Sequence, residues 1–292
     1  MAYNSGVQLN HSGVGQNYVS WTSKFNLSKN PFKDTLDTDL FFRTRQHEEA
    51  LVKIRIGIED QHALLLLAGA SGTGKTIVSQ VVLKALDPAF FEPVFVFVHP
   101  GMGKGALLTA ILSELGVEKI ARYASKQLQL LQEKALALHA NGKRLVVVID
   151  EAHFLKADAL HILRTLSNLE TESEKLVTVL LVAEDILRRR LNSPYYASLR
   201  SRIMFSMRLE NLTFEETEQY IKYRLLKCKA PAHLIEEDSY HVIHHFSKGV
   251  PREINRLLYN AFMETIAADR FSISPEILRN VSHKFAFFHG KN

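Results

Sequence analysis

Two short stretches of this chain hold residues whose types and spacing do chemistry together. The first, GASGTGKT from Gly69 to Thr76, sets Gly69, Gly72 and Gly74 around Ser71 and Thr73 and ends on Lys75 and Thr76. Glycines permit backbone conformations that a Cβ forbids, so successive N–H groups converge into a nest for an anion. The spacing reads as a phosphate loop. Its backbone cradles a polyphosphate, Lys75 reaches the β- and γ-phosphates, the Thr76 hydroxyl ligates Mg2+, and Ile77 continues the site into the first turn of a helix. The second stretch, RLVVVIDEAH from Arg144 to His153, ends five apolar residues on Asp150 and Glu151. Acidic residues often cap strands. Beside a phosphate loop they acquire defined tasks, Asp150 in the Mg2+ shell and Glu151 orienting and polarising an attacking water. The ligand these parts fit is ATP with Mg2+, and the reaction is hydrolysis to ADP and phosphate.

Strands and helices have to bring the two stretches together. Leu64, Leu65, Leu66, Leu67 and Ala68 form an apolar run suited to a strand buried on both faces, as a parallel sheet requires. Val78, Val81, Val82 and Ala85 then recur at helical spacing over residues 75–86, so the helix dipole points at the nest. The carboxylate strand delivers Asp150 to the end of the sheet where open α/β folds bind ligands. Further strands are expected over 94–98 and 176–183, and helices over 46–60, 105–115, 125–140 and through Leu160, Leu163 and Leu166. Asn30-Pro31-Phe32 is a turn signal. Leu40, Phe41 and Phe42 either wall an adenine pocket or pack in the core.

From about Ser206 the pattern is helical only. A capping box of Thr213 and Glu216 opens a helix over 213–227, and 237–246, 252–268 and 274–283 follow. The expected fold is α/β, a parallel sheet flanked by helices over residues 25–205, followed by a small all-helical lid domain over 206–292. Residues 1–24, rich in Gly, Ser and Asn, read as a mobile arm. Within that arm Trp21 is placed to dock on a neighbouring subunit or to make a loose packing contact.

The 292 residues, 46% hydrophobic and 23% charged, are ample for a sizeable core. A lone Cys228 excludes an intrachain disulfide or cysteine metal cluster, fits a reducing cytosol, and reads as a buried small apolar side chain. No apolar run approaches the roughly 18 residues a membrane helix needs, and Met1 to Asn10 lacks the apolar stretch of a signal peptide. A soluble, cytoplasmic protein is expected. The net charge of +5 permits nucleic acid or an acidic membrane as partner without requiring either.

The chain resembles the AAA+ ATPases of the general secretion pathway ExeA/GspA type, in the short MshM-like form known from pilus biogenesis. The likeness runs from about Phe25 to Ser282. It rests on Asn30-Pro31-Phe32, on His47 with Glu49-Ala50-Leu51, on GASGTGKT and VVVIDEAH, and above all on LSNLETESEKL from Leu166 through Leu176. Transposition ATPases of the TnsC/TniB type share the same core. The resemblance implies a P-loop AAA+ sheet with a helical lid, His47 at the nucleotide site, and an arginine finger in Leu199-Arg200-Ser201-Arg202-Ile203. Arg202 is the first choice for the finger and Arg200 the second. Arg252, in Gly249-Val250-Pro251-Arg252, corresponds to sensor 2 and contacts phosphate within its own subunit. Relatives carry Gly-Gln-Pro after the strand ending in Val182, where this chain has Ala183-Glu184-Asp185, and Gln where it has His153. The four letters DEAH do not make it a helicase, since the other helicase motifs are not apparent.

The resemblance further implies an ATP-dependent homo-oligomer, a ring or filament, whose slow turnover a partner stimulates. One reading makes it an assembly factor for a secretion or pilus machine, acting from the cytoplasm or peripherally at the inner membrane with an envelope protein as partner. The alternative is a transposition regulator that binds duplex DNA and recruits a transposase, for which Lys104 and Arg188-Arg189-Arg190 supply charge. A solvated helix face is the plainer reading of that triplet. A third reading is a nucleotide-state switch that hardly turns over.

Overall fold

The computed structural model describes residues 20–231 and 233–286, with side chains to Lys284. Among them, β1 (Leu64–Gly69), β2 (Phe91–Phe97), β3 (Arg144–Asp150), β4 (Val177–Ala183) and β5 (Ile203–Leu209) form one sheet in the order β2-β3-β4-β1-β5, with every pair parallel. The helices are α1 (Trp21–Lys24), α2 (Arg45–Glu59), α3 (Lys75–Ala85), α4 (Lys104–Glu114), α5 (Ala124–Ala140), α6 (Ala157–Leu166), α7 (Asp185–Leu191), α8 (Ala197–Arg200), α9 (Phe214–Lys227), α10 (Ser239–Ser247), α11 (Pro251–Ala267) and α12 (Pro275–Ala286).

The leucines of β1 are buried because the strand lies inside the sheet and is covered on both faces. Alternate side chains leave on opposite sides. Leu64 and Leu66 join Leu107, Ile111, Leu131, Leu160 and Leu163 on one face. Leu65 and Leu67 join Ile54, Ile58, Val78 and Val82 of α2 and α3 on the other. The buried β3 makes the same division, Val147 and Ile149 to the first layer and Val146 and Val148 to the second. The two motif strands are thereby held within one sheet, with β4 between them.

β5 departs from the sequence reading, which ended the sheet domain at 205 and took the following residues as helical. The strand continues to Leu209 and pairs with β1 at the sheet edge. Met204, Ser206 and Arg208 are exposed while Met207 and Leu209 are buried. An edge strand with one polar face offers no continuous apolar run to recognise.

A third core belongs to the helices after the sheet. Tyr220, Ile221, Ile243, Leu258, Phe262 and Leu278 pack there, joined by Phe25, Leu27 and Phe32. Residues 25–32 therefore pack with the C-terminal helices rather than with the sheet. Of the expected arm, residues 1–19 lie outside the described residues, while Trp21–Lys24 form the helix α1. Trp21 packs on Tyr259 and Phe262 of its own chain, ring centroids 5.9 and 5.3 Å away. The Asn30 turn forms as expected, the Asn30 Oδ1 accepting the Phe32 N–H at 2.9 Å. Cys228 is buried and unpaired. No helix among the described residues is long and apolar enough to cross a membrane.

Candidate active site

The loop between β1 and α3 adopts the conformation its glycines permit. Gly74 caps α3 with φ of 96°, and Gly72 has φ of 80°. A Cβ on Gly72 would lie 2.8 Å from the Cβ of Arg252, so this position also sets how closely α11 approaches. Thr73 donates its hydroxyl to the Ala70 carbonyl at 2.9 Å and pins the loop on itself. The first turns of α3 and α11 both border the cleft, and each brings a positive dipole end to it.

Lys75 is buried, and its Nζ donates to the Ala70 carbonyl at 2.8 Å. Burial lowers its pKa from the ordinary lysine value, against the opposing pull of Glu151, Glu184 and Asp150. A half-desolvated ammonium bordered by positive helix ends is a site for an incoming anion. The Thr76 hydroxyl donates to Asp150 Oδ2 at 2.8 Å. The two residues assigned to Mg2+ therefore stand side by side, although they come from different elements. Both are oxygen donors, which suits a hard cation that keeps most of its own water and substrate oxygens. Among the described residues no three His, Cys, Asp or Glu side chains cluster as a metal site. Glu151 follows β3 in the left-handed region at φ of 56°, its N–H donating to Asp150 Oδ1 at 2.9 Å.

These groups open onto a cleft of about 490 Å³ between the phosphate loop and the C-terminal helices. It is lined by Ser71, Gly72, Thr73, Gly74, Lys75, Thr76, Ile77, Asp150, Glu151, His47 and Arg252, as the sequence reading grouped them. Gly69 lies beneath, where a Cβ would meet the Leu209 carbonyl at 2.6 Å. Arg252 Nη1 donates to Ser71 Oγ at 3.1 Å and its N–H to the Gly72 carbonyl at 3.4 Å, tying α11 to the loop. His47 borders the cleft with its ring engaged elsewhere. Its Nδ1 accepts the Thr44 N–H at 3.1 Å and closes the capping box of α2, so in the neutral ring Nε2 carries the proton and faces Gly74. Burial pushes its pKa below the ordinary histidine value.

Phe41 and Phe42 resolve as both wall and core. They line the cleft while Phe41 packs on His47 and Phe42 on Tyr220. Sequence reasoning missed a buried polar network at the back. Arg224 donates to the Pro31 carbonyl at 2.5 Å and to the Tyr220 hydroxyl at 2.9 Å, and Tyr220 donates to Asn255 at 2.7 Å. Its members lie on α9, α11 and the N-terminal turn, and the arginine at helical spacing from Tyr220 was the only trace.

Arg200 and Arg202 do not line this cleft. Arg202 Nη1 donates to Ser167 Oγ at 2.9 Å and also to Asn168. The LSNLETESEKL stretch is thus a turn closed by the Glu170 and Lys175 bridge, and its first residues hold the start of β5. Arg200 is exposed and lines a second groove of about 520 Å³ with Arg188, Arg189 and Arg208. The arginine triplet is not uniformly solvated: Arg190 is half-buried, donating to the Leu155 carbonyl at 2.6 Å and to the Tyr196 hydroxyl at 3.2 Å.

Comparison with known proteins matches residues 58–191, which span β1 to α7 and so both motif strands, to the AAA domain family. The chain is 32% identical over 248 residues to general secretion pathway protein A of Aeromonas hydrophila. That alignment takes in 85% of this chain but 45% of the relative, so the chain spans about half the length of the curated protein it matches. Among solved structures, the Aeropyrum pernix ORC2 protein in its ADPNP–ADP complexes superposes with a TM-score of 0.64 at 18% identity, over 88% of this chain and 71% of that one. Drosophila ORC bound to DNA gives 0.71 at 15% identity, over 99% and 71%. At such identities these structures bear on the fold alone, a parallel sheet flanked and followed by helices.

Proposed function

We propose that the cleft binds ATP with Mg2+ and hydrolyses it, and that the cycle drives assembly of a secretion or pilus machine. The observation that carries the chemistry is the Thr76–Asp150 pair standing between Lys75 and Glu151. Lys75 and the loop N–H groups hold the outer phosphates. Thr76 and Asp150 would hold Mg2+, which when bound would supply positive charge against the polyphosphate. Glu151 orients the attacking water, and Arg252 contacts phosphate in the same subunit while joining α11 to the loop. Arg200 or Arg202 acts across a subunit interface, which makes turnover depend on self-association. Between them, Arg200 is the more accessible, because Arg202 is bound to Ser167 and Asn168. The likeness to general secretion pathway protein A supports the envelope role over transposition.

The test is steady-state ATP hydrolysis across protein concentration, with and without duplex DNA, for the wild type and Glu151→Gln. The proposal expects specific activity to rise with concentration, to ignore DNA, and to fall about 100-fold or more in Glu151→Gln while nucleotide still binds. DNA-stimulated turnover would transfer the reading to the transposition class. A chain that binds ATP and never turns over, alone or concentrated, would leave only a nucleotide-state switch. For the envelope role, Glu151→Gln held in its ATP-bound state should retain an inner-membrane protein in pull-down from cells. Recovery of soluble proteins alone would count against it.

A further inference from the structure

His153 lies three residues beyond Asp150, outside the set of groups that hold phosphate or metal, yet its ring is buried beside the water-orienting carboxylate. Its Nδ1 is 3.3 Å from Glu151 Oε2 and 3.4 Å from the main-chain nitrogen of Glu184, the N-cap residue of α7. One nitrogen cannot serve both neighbours. To hold the carboxylate it must carry a proton, and to accept the Glu184 N–H it must be bare. Phe154 packs against the ring, centroids 4.1 Å apart, and limits its movement. Lys75 is under the influence of Glu151, Glu184, Asp150 and Arg252, and of these groups Glu151 makes the ion-pair contact with the ring.

We propose that His153 is a positioning residue for Glu151, with its Nδ1 choosing between the Glu151 carboxylate and the Glu184 N–H. With the proton on Nδ1, the ring donates to the carboxylate and fixes it in the orientation from which it addresses the water. With the proton on Nε2, the bare Nδ1 accepts the Glu184 N–H of α7 instead and Glu151 loses that support. The choice couples the carboxylate after β3 to the N-terminal end of α7, the segment that follows β4. A merely structural histidine would have no need of this arrangement.

The inference rests on the hydrolysis reading for its kinetic consequence but not for its structural one, so two measurements separate them. The first is nitrogen-15 NMR of the histidine side chains in the nucleotide-free chain, which reports which ring nitrogen carries the proton. Glu151→Ala should raise the share of His153 rings with Nδ1 bare, and an unchanged His153 signal would overturn the proposal. The second is kinetics of two replacements that both fill the space. His153→Phe keeps the ring packing without a nitrogen and should lower kcat about tenfold, with the KM for ATP within about twofold. His153→Gln offers both a donor and an acceptor and should stay within about threefold of the wild type. A Phe variant with undiminished kcat, a loss confined to KM, or a Gln variant no better than Phe would each overturn it. If the wild type itself shows no turnover, the hydrolysis reading fails, and the NMR result alone decides the role of His153.

Discussion

Lys75 keeps its ammonium in a place where burial works against the charge and the nearby carboxylates only partly compensate. A group held this way costs the free chain stability and repays it when an anion arrives. Lys75→Met should therefore leave the ligand-free chain as stable as the wild type or up to about 1 kcal/mol more so. The same variant should lose the rise in melting temperature that ATP gives, and calorimetry with and without ATP reads both effects. His47 makes the opposite kind of statement about pH. Its folded pKa is depressed by burial, so below about 6.5 the unfolded chain takes up a proton that the folded one refuses. Stability from this group is fully present above that pH and is lost as pH falls toward the folded value. His47→Gln keeps a side chain able to close the capping box without the titration. Its urea midpoint should fall less than that of the wild type between pH 7 and 5.5.

Among the elements, α11 is the one whose placement the site depends on most. It begins at Pro251, and Arg252 in its first turn touches the phosphate loop. The approach is set by Gly249, which has φ of 71° and accepts the Leu212 N–H at 2.8 Å. A Cβ there would lie 2.0 Å from the Leu212 carbonyl oxygen, backbone that cannot step aside cheaply. Gly249→Ala combines an unfavourable φ with that collision, and should destabilise by about 2 kcal/mol or more while weakening nucleotide binding. Chemical denaturation and ATP titration of the same sample check the pairing. The loop around Ser167 and Asn168 has a comparable task at the other end of the sheet domain. By gripping Arg202 it fixes where β5 begins, and with it the exposed Arg200 two residues earlier.

At the scale of the whole molecule, Phe262 joins the first and last thirds of the chain. Its ring lies 5.3 Å from Trp21, 5.1 Å from Phe25 and 6.0 Å from Phe32, and it is fully buried among the C-terminal helices. Phe262→Ala should cost about 3–5 kcal/mol in that core. In native hydrogen exchange the loss should appear jointly in residues 20–32 and in α9 to α12, with β1, β3 and β4 keeping their protection. Independent behaviour of the N-terminal segment would show that the packing around Phe262 does not bind the two ends into one unit.

The sequence by itself determined the buried parallel strands, the phosphate loop between β1 and α3, the paired carboxylates after β3, and the Thr213 capping box and the stripes of the C-terminal helices. These are local patterns, in which spacing along the chain already dictates dihedral angles and burial. Even the grouping of Lys75, Thr76, Asp150 and Glu151 followed, because parallel strands place their carboxyl ends together. The tertiary structure decided what depends on partners far apart in sequence. Those outcomes are β5 as a half-exposed edge strand, residues 25–32 packed on the C-terminal helices, and the Arg224, Tyr220 and Asn255 network. They also include Arg202 bound to Ser167 and Asn168, and His153 set between Glu151 and Glu184. Each is a side chain or edge whose environment is supplied by another element, and no periodicity of its own segment encodes which element that is.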